Sequence, residues 1–391
     1  MAEKHSGVRN MNNRKDGHGK PEKRKRQGGR KEKLIGKLLI LCLFLAGNTG
    51  CQAGNEMRKE ETTEVVKAET GEVQQYTNTD FAMGTVISQT VYTSGEDKTA
   101  GYVKRLEEIE NDLISWRIEG SEIDKVNQSA GKEEGIEVSE KTAGYLAQTL
   151  ILSEKSGGKL DPTIGKLTRL WNIDGEDSKE EIPDQKEIEN LLKDIGYERI
   201  IQNDRNVTME RNVSLDFGAV GKGIGCDEID RLLKEDDAVE GAVISVGGSI
   251  LTYGEKEDGE PWTVAIADPR SEEGNYLGTL GIEGEKFIST SGDYEKYFIK
   301  DGERYHHILD PDTGYPAKSG LISTTVVCDS GLLSDGLSTA CFILGREKAF
   351  HLLEEYGAEG ILVDEDKNVY VTEGLKSSFI LMADGYQMSQ E

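Results

Sequence analysis

The feature that most constrains this fold is the stretch SLDFGAVGKGIGCDEIDRLL, residues 214 to 233. An apolar run leads into closely spaced glycines at 218, 221 and 223, and residues with helical spacing follow them. This order predicts a strand at 213–217, a tight turn and a helix over about 220–234. The chain must therefore pack strands and helices in the same unit.

The rest of the chain alternates between strand and helix patterns without a regular repeat. FAMGTVISQTVYT, residues 81 to 93, alternates as a strand does. Ser121 and Ser334 are good N-caps, and the segment after Ser334 predicts a helix over 335–344. Irregular alternation with several hairpins indicates an α+β fold with mixed sheets and a cleft between two lobes.

The first residues of the chain are basic, whereas the rest of the chain is acidic. Residues 1–37 hold 13 Lys/Arg and 4 Asp/Glu, and LLILCLFLAGNTGC follows at 38–51. About ten apolar residues are too few to span a bilayer and suit a signal peptide, here 1–50. Cys51 stands where a lipobox has its lipidated cysteine; the alternative is a short uncleaved anchor. Both place the body at the outer face of the cytoplasmic membrane.

Behind Cys51, residues 51–75 predict an acidic, flexible tether, and 76–391 a catalytic domain. The formal net charge of the chain is -26 although its start is basic. A body this acidic repels nucleic acid, so an anionic substrate needs a bound metal or a specific lysine. Three body cysteines, without a CxxC or His-Cys cluster, indicate packing residues and no zinc site.

Lys222 follows the glycines at the predicted start of the helix, and Asp216 precedes them. Backbone N–H groups at a helix start attract phosphate, and a lysine there adds positive charge. The spacing is neither that of a Walker A loop nor GxGxxG. The alternative is a tight turn with a solvated surface lysine.

Asp335 and Thr339 lie four residues apart in LLSDGLSTACFILG, on one face of a predicted helix. One interpretation is that Asp335 complements the helix dipole. The other is a hard-cation site of one carboxylate, one hydroxyl and a carbonyl, sparse ligation that suits magnesium with substrate phosphates.

Four further features have both a structural and a functional interpretation. Asp161-Pro162 is turn chemistry unless something binds beside it. Met83 is either core or a soft wall for a flat ring, and Trp116 either packs or stacks. In YHHILDPDTGYPA, His306 and His307 are neighbours on one strand, so their side chains point to opposite faces.

Taken together, these stretches resemble the ApbE family, the FAD:protein FMN transferases. The motifs follow the family's order over nearly all of residues 80–383: AMGT, SWRIEGSEIDKVN, LDPTIG with LW, DFGAVGKG, VGGSI, TSGDYEKYF, HHILDPDTG and SDGLSTA. The resemblance implies a T-fold-like α+β architecture, with two lobes that flank a central cleft for FAD and metal.

The resemblance also implies roles for individual residues. The FAD site would contain Met83, Trp116, Leu160, Asp161, Asp216, Lys222, His307 and Leu309. The magnesium ligands would be the carbonyl of Ala219 with Asp335 and Thr339. His307, Lys222 and Asp335 would carry the catalysis, with His307 in the cleft and His306 facing away.

The implied reaction is transfer of FMN from FAD to a Thr or Ser hydroxyl of another protein, with release of AMP. The acceptor would carry a Ser/Thr-Gly-Ala-Thr-like motif and belong to a membrane electron-transfer complex or an extracellular flavoprotein. Two alternatives remain open: a magnesium-dependent FAD pyrophosphatase, and a lipoprotein that binds FAD without chemistry.

Overall fold

The structure, a computed structural model, describes residues 72–389 except 174, 176, 257, 272 and 273. The predicted signal peptide, Cys51 and most of the tether lie outside these residues. The first strand begins at Gln74, so residues 74 and 75 belong to the sheet and not to the tether. Within the described ranges, no helix has the length and apolar character needed to cross a membrane.

The strands and helices have the following bounds. The strands are β1 Gln74–Ala82, β2 Thr85–Thr93, β3 Ile136–Glu137, β4 Ile200–Asn203, β5 Asn206–Met209, β6 Val239–Val246, β7 Ser249–Gly254, β8 Trp262–Ala267, β9 Tyr276–Ile282, β10 Lys286–Gly292, β11 Tyr297–Lys300, β12 Glu303–His306, β13 Leu321–Cys328, β14 Glu359–Asp364, β15 Asn368–Val371, β16 Phe379–Leu381 and β17 Gln387–Met388. The α-helices are α1 Thr99–Ile109, α2 Glu122–Gln128, α3 Glu140–Lys155, α4 Gly165–Trp171, α5 Gln185–Leu191, α6 Gly221–Lys234, α7 Gly331–Leu344 and α8 Arg346–Tyr356.

Among the described residues, nine strands form one mixed sheet, in the order β1-β2-β6-β7-β10-β13-β14-β15-β17. Neighbours are antiparallel except β15 and β17, which are parallel. Helices α6 and α7 pack on one face. On the other face, Ile288 and Val327 pack against Trp262 and Leu280 of the small sheet β16-β9-β8. The predicted α+β class with mixed sheets is confirmed.

The predicted strand at 81–93 is two strands joined by a tight turn. Ala82 pairs with Thr85, and the two turn residues, Met83 and Gly84, have φ values of +52° and +67°. Two successive positive φ values match the hairpin turn whose twist fits antiparallel strands. The sequence pattern missed this turn because polar and apolar residues alternate on both sides of it.

The predicted strand at 213–217 was wrong. Ser214 forms a single parallel bridge with Ile164, and the next residue after Ile164 begins helix α4, so the pairing cannot extend. The N–H of Asp216 donates to the carbonyl of Pro162 at 2.7 Å. The segment thus enters α6 as an extended connection held against the Asp161-Pro162 turn.

The predicted cap of α7 was also wrong. Ser330 caps the helix and accepts from the N–H of Leu333, whereas Ser334 lies inside it and donates to the carbonyl of Gly331 at 2.9 Å. Asp335 is therefore in the second turn. Since the helix dipole acts mainly within the first turn, dipole compensation does not explain this carboxylate.

Helices α6 and α7 cross where each has a glycine near its start. A Cβ on Gly223 would lie 2.0 Å from the carbonyl oxygen of Gly331, and one on Gly331 would lie 2.2 Å from that of Gly223. Asp227 of α6 accepts from the N–H groups of Gly331 and Leu332 at 2.6 and 2.8 Å. The starts of the two helices are therefore in backbone contact.

Glu228 anchors α6 to the helices beside it. Its carboxylate accepts from Lys141 and Tyr145 at 2.6 Å each and from Arg105 at 3.0 Å, and its side chain is 7% exposed. Burial raises the pKa of Glu228, but these three donors outweigh it and lower the pKa to about 2. The network favours the ionised carboxylate in the folded state.

We expect Glu228→Gln to lower the free energy of unfolding by about 2 kcal/mol, because it removes the buried carboxylate that accepts hydrogen bonds from Arg105, Lys141 and Tyr145. A folded-state pKa below the usual 4.5 stabilises the protein above pH 4.5, and that contribution is lost as the pH falls toward 2. Urea unfolding at several pH values tests both points. Glu355→Gln, at an exposed pair with Lys155, should cost less than about 1 kcal/mol. If both variants lose the same free energy of unfolding, Glu228 does not anchor α6 as described.

Candidate functional site

The starts of α6 and α7 bring Lys222 and Asp335 together. Nζ of Lys222 lies 3.3 Å from Oδ1 of Asp335, whose side chain is 3% exposed. The N–H of Gly223 donates to Oδ2 of Asp335 at 2.9 Å. The lysine is therefore paired and mostly buried, not the solvated surface residue of the alternative interpretation.

The carboxylate of Glu295 also interacts electrostatically with the Lys222–Asp335 pair. Burial lowers the pKa of Lys222, but Asp335 and Glu295 outweigh it, so that pKa lies above its usual value. Burial raises the pKa of Glu295, while Lys222 and Lys296 lower it in part. Two carboxylates, Asp335 and Glu295, therefore act on the charge of Lys222.

Thr339 lies one turn after Asp335 on α7, as predicted. Its Oγ1 is 3.4 Å from the backbone carbonyl of Asp335 and 3.2 Å from Oγ of Ser291 on β10. Ala219 lies in the turn just before α6. A carboxylate, a hydroxyl and a carbonyl are hard oxygen donors, the kind that magnesium prefers.

The described part of the chain contains no group of three or more His, Cys, Asp and Glu side chains that could hold a metal. The predicted ligands are a different set, with one carboxylate among them. Their chemistry fits a cation that takes its remaining ligands from water and phosphate. Magnesium at Ala219, Asp335 and Thr339 stays a prediction.

Trp116 and Asp216 form a neighbouring group. The guanidinium carbons of Arg117 and Arg169 lie 4.6 and 4.3 Å from the ring centroid of Trp116, which is half-buried. Burial raises the pKa of Asp216, while the N–H of Gly218, Thr168, Arg117 and Trp116 oppose this rise. The structure thus places an aromatic ring, two cations and an acid side by side.

Leu160 and Asp161 turn their side chains inward. Leu160 is 3% exposed and belongs to the main core. Asp161 accepts from both the N–H and the hydroxyl of Thr163, at 2.8 and 2.6 Å, and from the N–H of Tyr197 at 2.9 Å. These contacts hold the turn that supports Asp216.

Met83 and Leu309 also pack against other parts of the fold. The N–H of Met83 donates to Glu110 at 2.9 Å, and a Cβ on Gly225 would lie 3.0 Å from the sulfur of Met83. Leu309 is 3% exposed in a small cluster with Phe298. A role of either residue in binding stays a prediction.

The two adjacent histidines have different environments. His306 is 5% exposed, its Nε2 lies 3.1 Å from the carbonyl of Ala317, and burial lowers its pKa. His307 is half-buried, and its Nδ1 lies 3.3 Å from the carbonyl of Lys296. A carbonyl only accepts, so this hydrogen bond requires a hydrogen on Nδ1, and in the neutral imidazole of that tautomer Nε2 is the acceptor nitrogen of His307.

Sequence reasoning overlooked Glu295 and Ser291. Both lie in the TSGDYEKYF segment, but glutamates and serines in strand-like segments are common and carry no signal alone. Glu295 precedes Lys296, whose carbonyl accepts from the N–H of His307 at 3.1 Å. This hydrogen bond links His307 to the charged group around Lys222.

Comparison with known proteins identifies the family. The family model described as the ApbE family matches residues 83–362, well over half of the chain. The chain belongs to the ApbE family. The match covers the start of α6, the TSGDYEKYF segment and α7, and therefore every element of the site.

Curated relatives agree with this assignment. The chain is 30% identical to a protein of Haemophilus influenzae over 72% of this chain and 82% of the relative. It is 30% identical to one of Treponema pallidum over 78% and 88%. Both relatives are named FAD:protein FMN transferase, so the predicted enzyme class, a transferase, is confirmed.

Solved structures of the ApbE family have the same fold. The ApbE protein of Thermotoga maritima superposes with a TM-score of 0.68 at 30% identity, over 77% of this chain and 98% of that one. The flavin transferase ApbE of Vibrio cholerae gives a TM-score of 0.70 at 26% identity, over 78% and 100%. The predicted ApbE-like architecture is confirmed.

Proposed function

We propose that this protein transfers the FMN part of FAD to a Thr or Ser hydroxyl of an acceptor flavoprotein and releases AMP. The proposal is supported by the family and, above all, by the Lys222–Asp335 pair at the meeting point of two helix starts. The start of α6 with its lysine suits a pyrophosphate, and the carboxylate of Asp335 beside it suits the cation of the pyrophosphate.

The residues divide the work as follows. Lys222, at the start of α6, binds the pyrophosphate and offsets its developing negative charge. The carbonyl of Ala219, Asp335 and Thr339 would hold magnesium. When bound, magnesium supplies Lewis-acid stabilisation of the phosphoryl oxygens. Trp116 and Asp216 would hold the nucleotide on the side of the Asp161-Pro162 turn.

The chemical step exchanges one phosphorus–oxygen bond for another. The acceptor hydroxyl oxygen bonds to the FMN-side phosphorus, the bond from that phosphorus to the bridging oxygen breaks, and AMP leaves with that oxygen. The hydroxyl proton passes to a base, for which Nε2 of His307 and a carboxylate of the site are the candidates. The acceptor motif is the Ser/Thr-Gly-Ala-Thr-like sequence of a membrane or extracellular flavoprotein.

The decisive experiment is mass spectrometry of an acceptor domain after incubation with this protein, FAD and magnesium. A mass gain equal to FMN on Thr or Ser, with AMP in equal amount, supports transfer. Free FMN and AMP with an unmodified acceptor would mean a pyrophosphatase. FAD that binds without AMP release would mean a binding lipoprotein.

Lys222→Ala should slow transfer by about a hundredfold and weaken FAD binding, because it removes the charge that faces the phosphates. AMP release and FAD titration measure the two effects. Lys348→Ala, at an exposed lysine in the first turn of α8, is the matched control and should leave both unchanged. Wild-type values for Lys222→Ala would assign Lys222 a purely structural role.

The location proposed for this activity is the extracytoplasmic face of the cell membrane, with a lipid anchor on Cys51. If Cys51 is lipidated, Cys51→Ser should release the body from membranes or leave an unprocessed precursor. Cell fractionation and the mature mass measure this. Unchanged size and retention in the variant would exclude the lipobox.

A further inference from the structure

A chain of buried hydroxyl groups lies between strand β10 and helix α7. From β10, Ser289 and Ser291 each make a 2.8 Å hydrogen bond to α7, with Ser334 and Ser338 respectively. Oγ of Ser291 also lies 3.2 Å from Oγ1 of Thr339. One end of the hydroxyl chain therefore meets a residue of the candidate metal site.

The direction of each hydrogen follows from one carbonyl group. Oγ of Ser338 lies 2.8 Å from the backbone carbonyl of Asp335, which only accepts, so Ser338 uses its single hydrogen there. Ser291 must then donate to Ser338. Oγ of Ser291 is left as an acceptor for Thr339, whose other acceptor is the carbonyl of Asp335 at 3.4 Å.

The hydroxyl hydrogen of Thr339 therefore has two possible acceptors, Oγ of Ser291 and the carbonyl of Asp335, and both belong to the protein. We propose that Ser291 is a positioning residue, which fixes the hydroxyl of Thr339 so that its oxygen keeps its lone pairs for a cation. The inference rests on the proposed function, since it takes Thr339 as a magnesium ligand. Magnesium tolerates little departure from its preferred geometry, and partners behind the ligands set their orientation.

The chain offers a matched control on the same strand. Ser289 lies two residues before Ser291, and both are buried. Ser289 hydrogen-bonds with Ser334 and, at 3.0 Å, with Ser249. Removing either hydroxyl costs one buried hydrogen-bonding group, but only Ser291 contacts Thr339.

The experiment titrates the purified protein with Mn²⁺ alone, followed by electron paramagnetic resonance. We expect Ser291→Ala to weaken Mn²⁺ affinity about three- to tenfold, and Ser289→Ala to leave it unchanged with a similar loss of Tm. With Thr339→Ala already present, Ser291→Ala should add no further loss. Ser291→Cys, close in volume but a poor hydrogen-bonding group, should behave as the alanine variant and serves if that variant does not fold.

Two results would separate failure of the inference from failure of the proposed function. If Thr339→Ala weakens Mn²⁺ binding but Ser291→Ala matches Ser289→Ala, the positioning role is wrong and the metal site stands. If Thr339→Ala binds Mn²⁺ as the wild-type protein does, the metal assignment fails and the inference fails with it.

Discussion

Asp335→Asn should reduce turnover at millimolar magnesium by about a hundredfold or more. The change removes the one carboxylate among the predicted ligands, and it also removes the charge that Lys222 faces at 3.3 Å. Part of the activity should return at high magnesium, because the substrate pyrophosphate still recruits the ion. AMP formation from FAD against magnesium concentration measures the effect.

Thr339→Ala is the milder companion of this variant. A neutral hydroxyl contributes less than a carboxylate, so its magnesium curve should shift in the same direction but less. Without ligand, the Tm of Thr339→Ala should stay close to wild type, whereas Asp335→Asn should lower the Tm because the buried partner of Lys222 loses its charge. Recovery of activity at high magnesium then separates loss of metal from loss of fold. Magnesium curves that overlay wild type for both variants would rule out the metal assignment.

Gly223→Ala should destabilise the protein by at least about 3 kcal/mol and abolish activity together with stability. The new Cβ would lie 2.0 Å from the carbonyl oxygen of Gly331, so the two helices must move apart. That movement also separates Lys222 from Asp335. Thermal unfolding and FAD binding measure the two consequences.

The matched control is Gly144→Ala in the exposed face of α3, where a Cβ would meet nothing within 4 Å. Alanine is favoured over glycine inside a helix by about 1 kcal/mol, so this variant should be as stable as wild type or more so. A Gly223→Ala protein with wild-type Tm would show that the helix crossing adjusts easily.

The sequence predicted elements whose signal is local. The cap at Ser121 is correct, since its side chain accepts from the N–H of Asp124. Asp335 and Thr339 share a helix face because spacing alone determines this. The cap of α7 was predicted at Ser334, but Ser330 takes that place, and Ser334 instead contacts Ser289 of β10, a long-range contact that the sequence does not contain.

Long-range partners were beyond the sequence pattern. The sequence left two interpretations of Lys222 open, a phosphate-binding charge and a solvated surface lysine, because only the packing of α7 places Asp335 beside it. The segment at 213–217 has the composition of a strand, but its only bridge is at Ser214 because α4 starts at once on the other side. Glu295 and Ser291 gain their importance only from what the fold brings near them.

The crossing of α6 and α7 also has a kinetic consequence. Amide hydrogens in the first turn of a helix have no carbonyl partner within that helix and normally exchange fast with solvent. Here the amide of Gly223 is held by Asp335, and those of Gly331 and Leu332 by Asp227, each across the crossing. Their deuterium uptake therefore reports how often the two helices part, and with it the integrity of the site before any substrate is added.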